Sequence, residues 1–158
     1  MLCEFFPPYE RGGSELSSLD LAVSLKKKAH LIEVFTPNYG TKRDIIFRGI
    51  KIHRFPYYIK LRKYYSSVSP IHFSNPLWWI WTTLCLINIV IRQRPQILHV
   101  QGKYFIPQAV VTGKFFKIPV VVTLRDYIPL CPHAYCIRSD RDYKKCNLIE
   151  LLSQDLPF

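Results

Sequence analysis

Two stretches decide the fold: QILHVQ, from Gln96 to Gln101, and PVVVTLRD, from Pro119 to Asp126. Each is a run of apolar residues that passes into a polar cluster. Ile97, Leu98, His99, Val100 and Gln101 make the first, and Val120, Val121, Val122, Thr123, Leu124, Arg125 and Asp126 the second. Near-continuous apolar runs of this length suit strands of a parallel sheet covered on both faces. Open α/β sheets bind ligands in the crevice beyond the carboxyl ends of their strands. His99, Gln101, Arg125 and Asp126 are therefore the residues expected to line a binding crevice.

Outward from these strands the chain alternates strand and helix. Met1 to Phe6 reads as a very short strand, and Pro7 to Gly13 as a turn. A helix should follow, with Ser14 as N-cap and Glu15 in the positive first turn. Leu16, Leu19, Ala22, Val23, Leu25 and Ala29 would form its apolar face, and Lys26 to Lys28 its last turn. His30 to Thr36 is the next strand, closed by Pro37, Asn38 and Gly40, which completes a right-handed βαβ unit. After a polar loop, Gly49 to Pro56 alternates in the manner of a short edge strand. Phe73 to Ile91 carries no charged residue; a transmembrane helix needs about 20 apolar residues, so a buried or partly interfacial helix is the preferred reading. A further helix is expected around Phe105 to Phe116. The predicted fold class is α/β: one Rossmann-like domain over residues 1–158, doubly wound, its mostly parallel sheet flanked by helices on both faces.

Composition sets limits on function. Hydrophobic residues make up 49% of the 158 and charged residues 21%, which argues against disorder. Twenty-two Lys and Arg against 11 Asp and Glu leave a formal charge of +11, so the partners should be anionic: phosphates, nucleotides, acidic lipid surfaces or nucleic acid. Five cysteines, an odd number at irregular spacing, and a start without a basic and apolar leader point to thiols in a reducing, cytoplasmic compartment.

The residues that could carry chemistry differ in specificity. Gly12 and Gly13 lie where a strand hands over to a helix, so backbone N–H groups there could face an anion, although neither a GxGxxG nor a Walker pattern is present. A histidine in an apolar strand is more often a satisfied core residue than a catalyst, but His99 stands one residue before the strand end. Arg125 and Asp126 could simply pair; an arginine at a strand's carboxyl end equally offers a donor fork to phosphate, carboxylate or sugar hydroxyls. Cys131, His133, Cys136 and Cys146 are zinc-ligand types, yet lack a CxxC pair, and packing thiols are the preferred reading. The basic, aromatic run from Arg54 to Tyr65 would suit a solvated loop, lipid headgroups or base stacking.

In order, FFPPYERGGSELSSLDLAVSLKKKAH, HLIEVFTPNYG, RGIKIHRFP, RPQILHVQGKY and FFKIPVVVTLRDYIPLCP resemble the N-terminal domain of family 4 glycosyltransferases, retaining enzymes of the GT-B fold. The resemblance runs from about Phe5 to Cys146. It implies that Gly12 and Gly13, with Glu15 close behind, form the donor-phosphate loop. It also implies that His99 to Gln101 correspond to the family's His-x-His strand end, with Gln in place of the second His. Thr123 to Asp126 are similar to the family's Thr-x-His-Asp element, with Arg125 in place of His, so Arg125 would act by charge and not as a base. No catalytic residue is assigned.

A GT-B enzyme pairs two Rossmann-like domains, the N-terminal one taking mainly the acceptor. The resemblance thus implies an acceptor-side half whose C-terminal donor-binding domain is absent, inactive or nearly so by itself. The implied partners are a nucleotide-sugar donor, a sugar or lipid-linked acceptor, a C-terminal donor-domain partner and an anionic membrane surface; nucleic acid is disfavoured and no cofactor is expected. The location is the cytoplasm, peripheral at the inner face of the membrane. A noncatalytic basic Rossmann-like module that binds nucleotide, nucleic acid or a protein is the alternative.

Overall fold

A computed structural model describes residues 1–9, 12–41, 44–61, 68 and 71–125. The chain divides into two compact units, Met1–Thr123 and Leu124–Phe158. Of the second unit only Leu124 and Arg125 are described, so Asp126, Cys131, His133, Cys136 and Cys146 lie outside the described residues.

The first unit is an α/β layer structure with Rossmann-like topology. Its strands are β1 (Glu33–Asn38), β2 (Asp44–Phe47), β3 (Ile50–Pro56), β4 (Leu98–Val100) and β5 (Val120–Val122). β1 and β3 pair in parallel from Glu33↔Lys51 to Asn38↔Pro56, and β4 and β5 pair in parallel from Leu98↔Val120 to Val100↔Val122. The N-terminal segment joins the two halves, since Leu2 bridges Phe35 on one side and Val100 on the other. Leu2 N donates to His99 O at 2.8 Å, Gln101 N to Leu2 O at 2.9 Å and Phe35 N to Met1 O at 2.8 Å. The resulting order is β2, β3, β1, the Leu2 segment, β4, β5, so the direction of strand progression reverses at Leu2. That reversal is the topological switch point at which such sheets open a ligand crevice.

The helices are α1 (Gly13–Lys27), α2 (Ile71–Ser74), α3 (Pro76–Gln93) and α4 (Ile106–Phe116), the last preceded by a 3₁₀ turn, Lys103–Phe105. α1 packs Leu19 and Ala22 against Val34, Ile50 and Ile52 on one face of the sheet. On the other face α3 and α4 bury Trp78, Leu86, Val90 and Ala109 against Phe35, Phe55, Leu98 and Val100. Phe35 stacks on Phe55 at 4.8 Å between centroids, and Phe105 meets Phe35 edge-on at 5.8 Å. Large apolar side chains of this kind contribute about 1.5–3 kcal/mol each when fully buried, which makes this second face the main source of stability.

Local signals explain the helix ends. Asn75 Oδ1 accepts from Leu77 N at 2.9 Å and Pro76 occupies the first turn of α3, two features that favour a start there. α1 starts two residues earlier than expected, with Gly12 as N-cap and Ser14 inside the first turn. Leu16 is exposed, and Ala29 lies beyond the helix at φ 64°.

Three strand expectations need correction. β2 falls in a stretch read as polar loop; it pairs antiparallel with β3 through a two-residue turn, Arg48 (φ 50°) and Gly49 (φ 72°), whose positive dihedrals suit a tight hairpin. β3 is consequently not an edge strand, and a neighbour on each side accounts for the burial of His53 and Arg54. β5 is shorter than the Pro119 to Asp126 run and is not covered on both faces, because α1 sits across β1 and β3 and leaves Val121 47% exposed. No described helix is long and apolar enough to cross a membrane. Cys3 and Cys85 are both thiols.

Candidate functional site

At the switch point the carboxyl ends of the Leu2 segment, β4 and β5 converge. Strand alternation puts Leu98 and Val100 into the α3/α4 core, so His99 and Gln101 project from the face that α1 shares. Their side chains meet: Gln101 Nε2 lies 2.7 Å from His99 Nε2 and donates to Thr123 Oγ1 at 3.3 Å, while His99 Nε2 lies 2.8 Å from Thr123 Oγ1. His99 Nε2 is within hydrogen-bond reach of both the amide and the hydroxyl, and the ring tautomer sets which of them donates. Ser18 of α1 completes the group: its hydroxyl lies 3.4 Å from Gln101 Oε1 and 2.8 Å from Ser14 O, and its one proton serves either acceptor. Gln101 is buried and His99 half-buried, beside the part of the sheet that α1 does not reach.

A second group surrounds the end of the N-terminal strand. Glu4 Oε1 accepts from Tyr104 N at 2.6 Å, and Tyr39 Oη donates to Glu4 O at 2.9 Å. A Cβ at Gly102 would come within 2.6 Å of the Glu4 carboxyl, so a glycine there is what lets the strand end and the 3₁₀ turn approach. At the start of α1, Glu15 Oε2 accepts from Gly12 N at 2.9 Å. Both helical N-termini beside the crevice thus already hold a carboxylate, Glu15 on α1 and Glu4 on the turn leading into α4. A positive helix end stabilises such a charge and is in turn neutralised by it.

Arg54, at the carboxyl end of β3, lies under the turn that leads to the glycines. Its Nη2 donates to Pro7 O at 2.6 Å, whereas Nε and Nη1 meet no partner among the described residues. Burial is the main cause that holds its pKa below the ordinary arginine value. Thr36, opposite Arg54 in the register, is likewise buried, its hydroxyl without a partner among the described residues.

Of the residues expected from sequence, His99 and Gln101 are in one cluster, and Gly12, Gly13 and Glu15 begin the helix whose Ser18 touches that cluster. Arg125 is exposed and belongs to the second unit; Asp126 and the four zinc-type residues lie outside the described residues. Among the described residues no three His, Cys, Asp or Glu side chains gather as a metal site. Sequence reasoning missed Ser18 in the cluster, Glu4 beside it and the burial of Arg54. The signal for Ser18 was its place one helical turn after Ser14 on the side facing the sheet. Glu4 and Arg54 carried one too, each being a charged residue at the polar end of an apolar strand.

The family profile of Glycosyltransferase Family 4 matches residues 11–149. The chain belongs to this family. It is also similar to an "Uncharacterized 42.6 kDa protein in cps region" of Klebsiella pneumoniae, with 31% identity over 80% of this chain and 36% of that protein. The family 4 chain therefore spans about a third of that relative's length. No solved structure matches it.

The family 4 domain presents a set of hydrogen-bonding side chains at this crevice. The imidazole, amide and hydroxyls of His99, Gln101, Thr123 and Ser18 can donate and accept hydrogen bonds, and the side-chain oxygens of Glu4 and Glu15 accept them.

Proposed function

We propose that this chain is the acceptor-side half of a retaining GT-B glycosyltransferase. It moves a sugar from a nucleoside diphosphate sugar to a hydroxyl of a lipid-linked acceptor during assembly of a cell-envelope polysaccharide. The observation that carries the reading is the switch-point cluster of His99, Gln101, Thr123 and Ser18 beside two carboxylate-occupied helix ends. An incoming anion would have to displace Glu15 or Glu4, whereas a neutral sugar can use them as acceptors; this favours the acceptor's hydroxyl groups as the resident ligand. The cps-region relative supports a polysaccharide product, and its greater length supports a donor-binding half beyond this segment.

In the proposed reaction His99 and Gln101 hold the acceptor sugar. Gly12 and Gly13 reach the departing diphosphate once Glu15 yields its hydrogen bond, and preorganised N–H dipoles then stabilise the charge that develops there. Arg125 acts through its charge and not as a base, since a guanidinium does not give up its proton in this pH range. The work is done at the cytoplasmic face of the membrane, where a chain of charge +11 is drawn to acidic headgroups.

The test is to read the DNA on both sides of this coding segment and express whatever frame it completes. A second Rossmann-like region with a Glu-x7-Glu pair, and sugar transfer by the completed protein, is the expected result. A stop codon with no partner gene, together with no transfer, would favour the noncatalytic module instead.

A further inference from the structure

α3 is apolar on its exposed side as well as its buried one, with exposed Asn88 the polar residue within the outer stripe. Trp78, Thr82, Leu86 and Val90 line its buried side, and Leu77, Ile80, Trp81, Leu84 and Ile91 are exposed on the other. At about 100° per residue these five fall within an arc of roughly 100°, in a stripe about 21 Å long. An ordinary surface helix carries polar residues on that side. α4, which packs against α3, adds exposed Val111 and Phe115.

The charges around this stripe have one sign. From Ile45 to Arg125 the chain contains no Asp or Glu, and Arg92, Arg94, Lys114 and Lys117 at the exits of α3 and α4 are all exposed. Trp81 donates its indole N–H to Pro56 O at 2.8 Å, so the ring that remains 46% exposed presents carbon and no unsatisfied donor. Because the opposite side of α3 is fixed in the core, the helix can lie along a membrane but not enter it lengthwise.

We infer that the outer face of α3, flanked by these arginines and lysines, is the surface by which the domain docks on an anionic lipid bilayer. Apolar side chains in the stripe enter the acyl boundary while the cations meet acidic headgroups, and each part alone gives weak binding. A second copy of the chain fits poorly, since it brings the same excess of positive charge to the same face. The inference gives the proposed lipid-linked acceptor a place of entry and rests on that reading for its purpose alone; the surface itself is argued from its own residues.

The experiment is flotation of the 158-residue chain with phosphatidylcholine vesicles, with and without phosphatidylglycerol, at low and high salt. The chain should float with the anionic vesicles at low salt and lose at least tenfold in partitioning either at high salt or on neutral vesicles. The exposed-face double variant Ile80→Glu/Leu84→Glu, checked for an unchanged circular dichroism spectrum, should fall at least tenfold as well. A chain that stays unbound at low salt, or a variant that floats like the parent, overturns the docking surface. So does light scattering that shows a stable dimer dissociated by the same variant. Flotation measures no transfer, so a completed enzyme active on a soluble acceptor beside a chain that does not float removes the docking surface and leaves the proposed function standing. Flotation without transfer does the reverse.

Discussion

Arg54 shows what a buried charge costs a single residue. A buried guanidinium with one hydrogen bond among the described residues recovers only part of its desolvation cost, here with help from the charge of Asp44, and replacing such a group by an apolar one of similar volume is often neutral or stabilising. Arg54→Met is therefore expected to unfold at the same or a higher temperature than the parent, read by thermal denaturation, even though the bond to Pro7 is lost. A loss of more than about 3 kcal/mol would mean that the guanidinium stabilises the fold. Glu15 makes a second case with opposite signs for two observables. Glu15→Gln removes the charge that occupies the N-terminus of α1. By the helix-dipole magnitude it should cost about 0.3–1 kcal/mol of stability, and inorganic pyrophosphate should bind several-fold tighter by calorimetry. Equal or weaker pyrophosphate binding would count against Gly12 and Gly13 as the diphosphate loop.

At the level of elements, the closest joint lies between α4 and β5. Ile118 N donates to Gly113 O at 2.8 Å, and a Cβ at Gly113 would stand 2.4 Å from Val120 Cγ2 and 2.8 Å from Ile118 O. Gly113→Ala should accordingly destabilise by about 1–3 kcal/mol in chemical denaturation, despite alanine's better helix propensity. A neutral result would mean that the turn from Lys117 to Pro119 is free to shift. The same elements show what the sequence made legible. The strand-helix alternation, α1, α4 and the parallel pair β4 and β5 could be read because hydrophobic period is set locally. β2 could not, since four residues with one alternation look like a loop until the Arg48–Gly49 turn pairs them with β3. Nor could the exposure of Val121, which depends on how far α1 reaches across the sheet. His99 and Gln101 were legible because strand ends at a switch point are generic binding positions. Ser18 and Glu4 were harder: their roles arise from contacts with residues 83 and 100 positions away.

For the whole molecule, the order β2, β3, β1, Leu2 segment, β4, β5 brings His99, Gln101, Thr123 and Ser18 to the reversal of the sheet, and the proposed function places the acceptor sugar in that crevice. Charge belongs to this scale too, because +11 on 158 residues acts over the full surface and orients the domain toward acidic partners more than it selects a ligand. The central claim is that this crevice is where the acceptor sits. It is tested most directly by measuring sugar transfer from nucleoside diphosphate sugars by the completed family 4 enzyme, with the parent sequence and with His99→Ala and Gln101→Ala. Each substitution should lower kcat/KM by about 10- to 100-fold, a loss of about 1.4–2.7 kcal/mol in transition-state binding, with the melting temperature nearly unchanged. Parent-like kcat/KM in both variants would contradict the account.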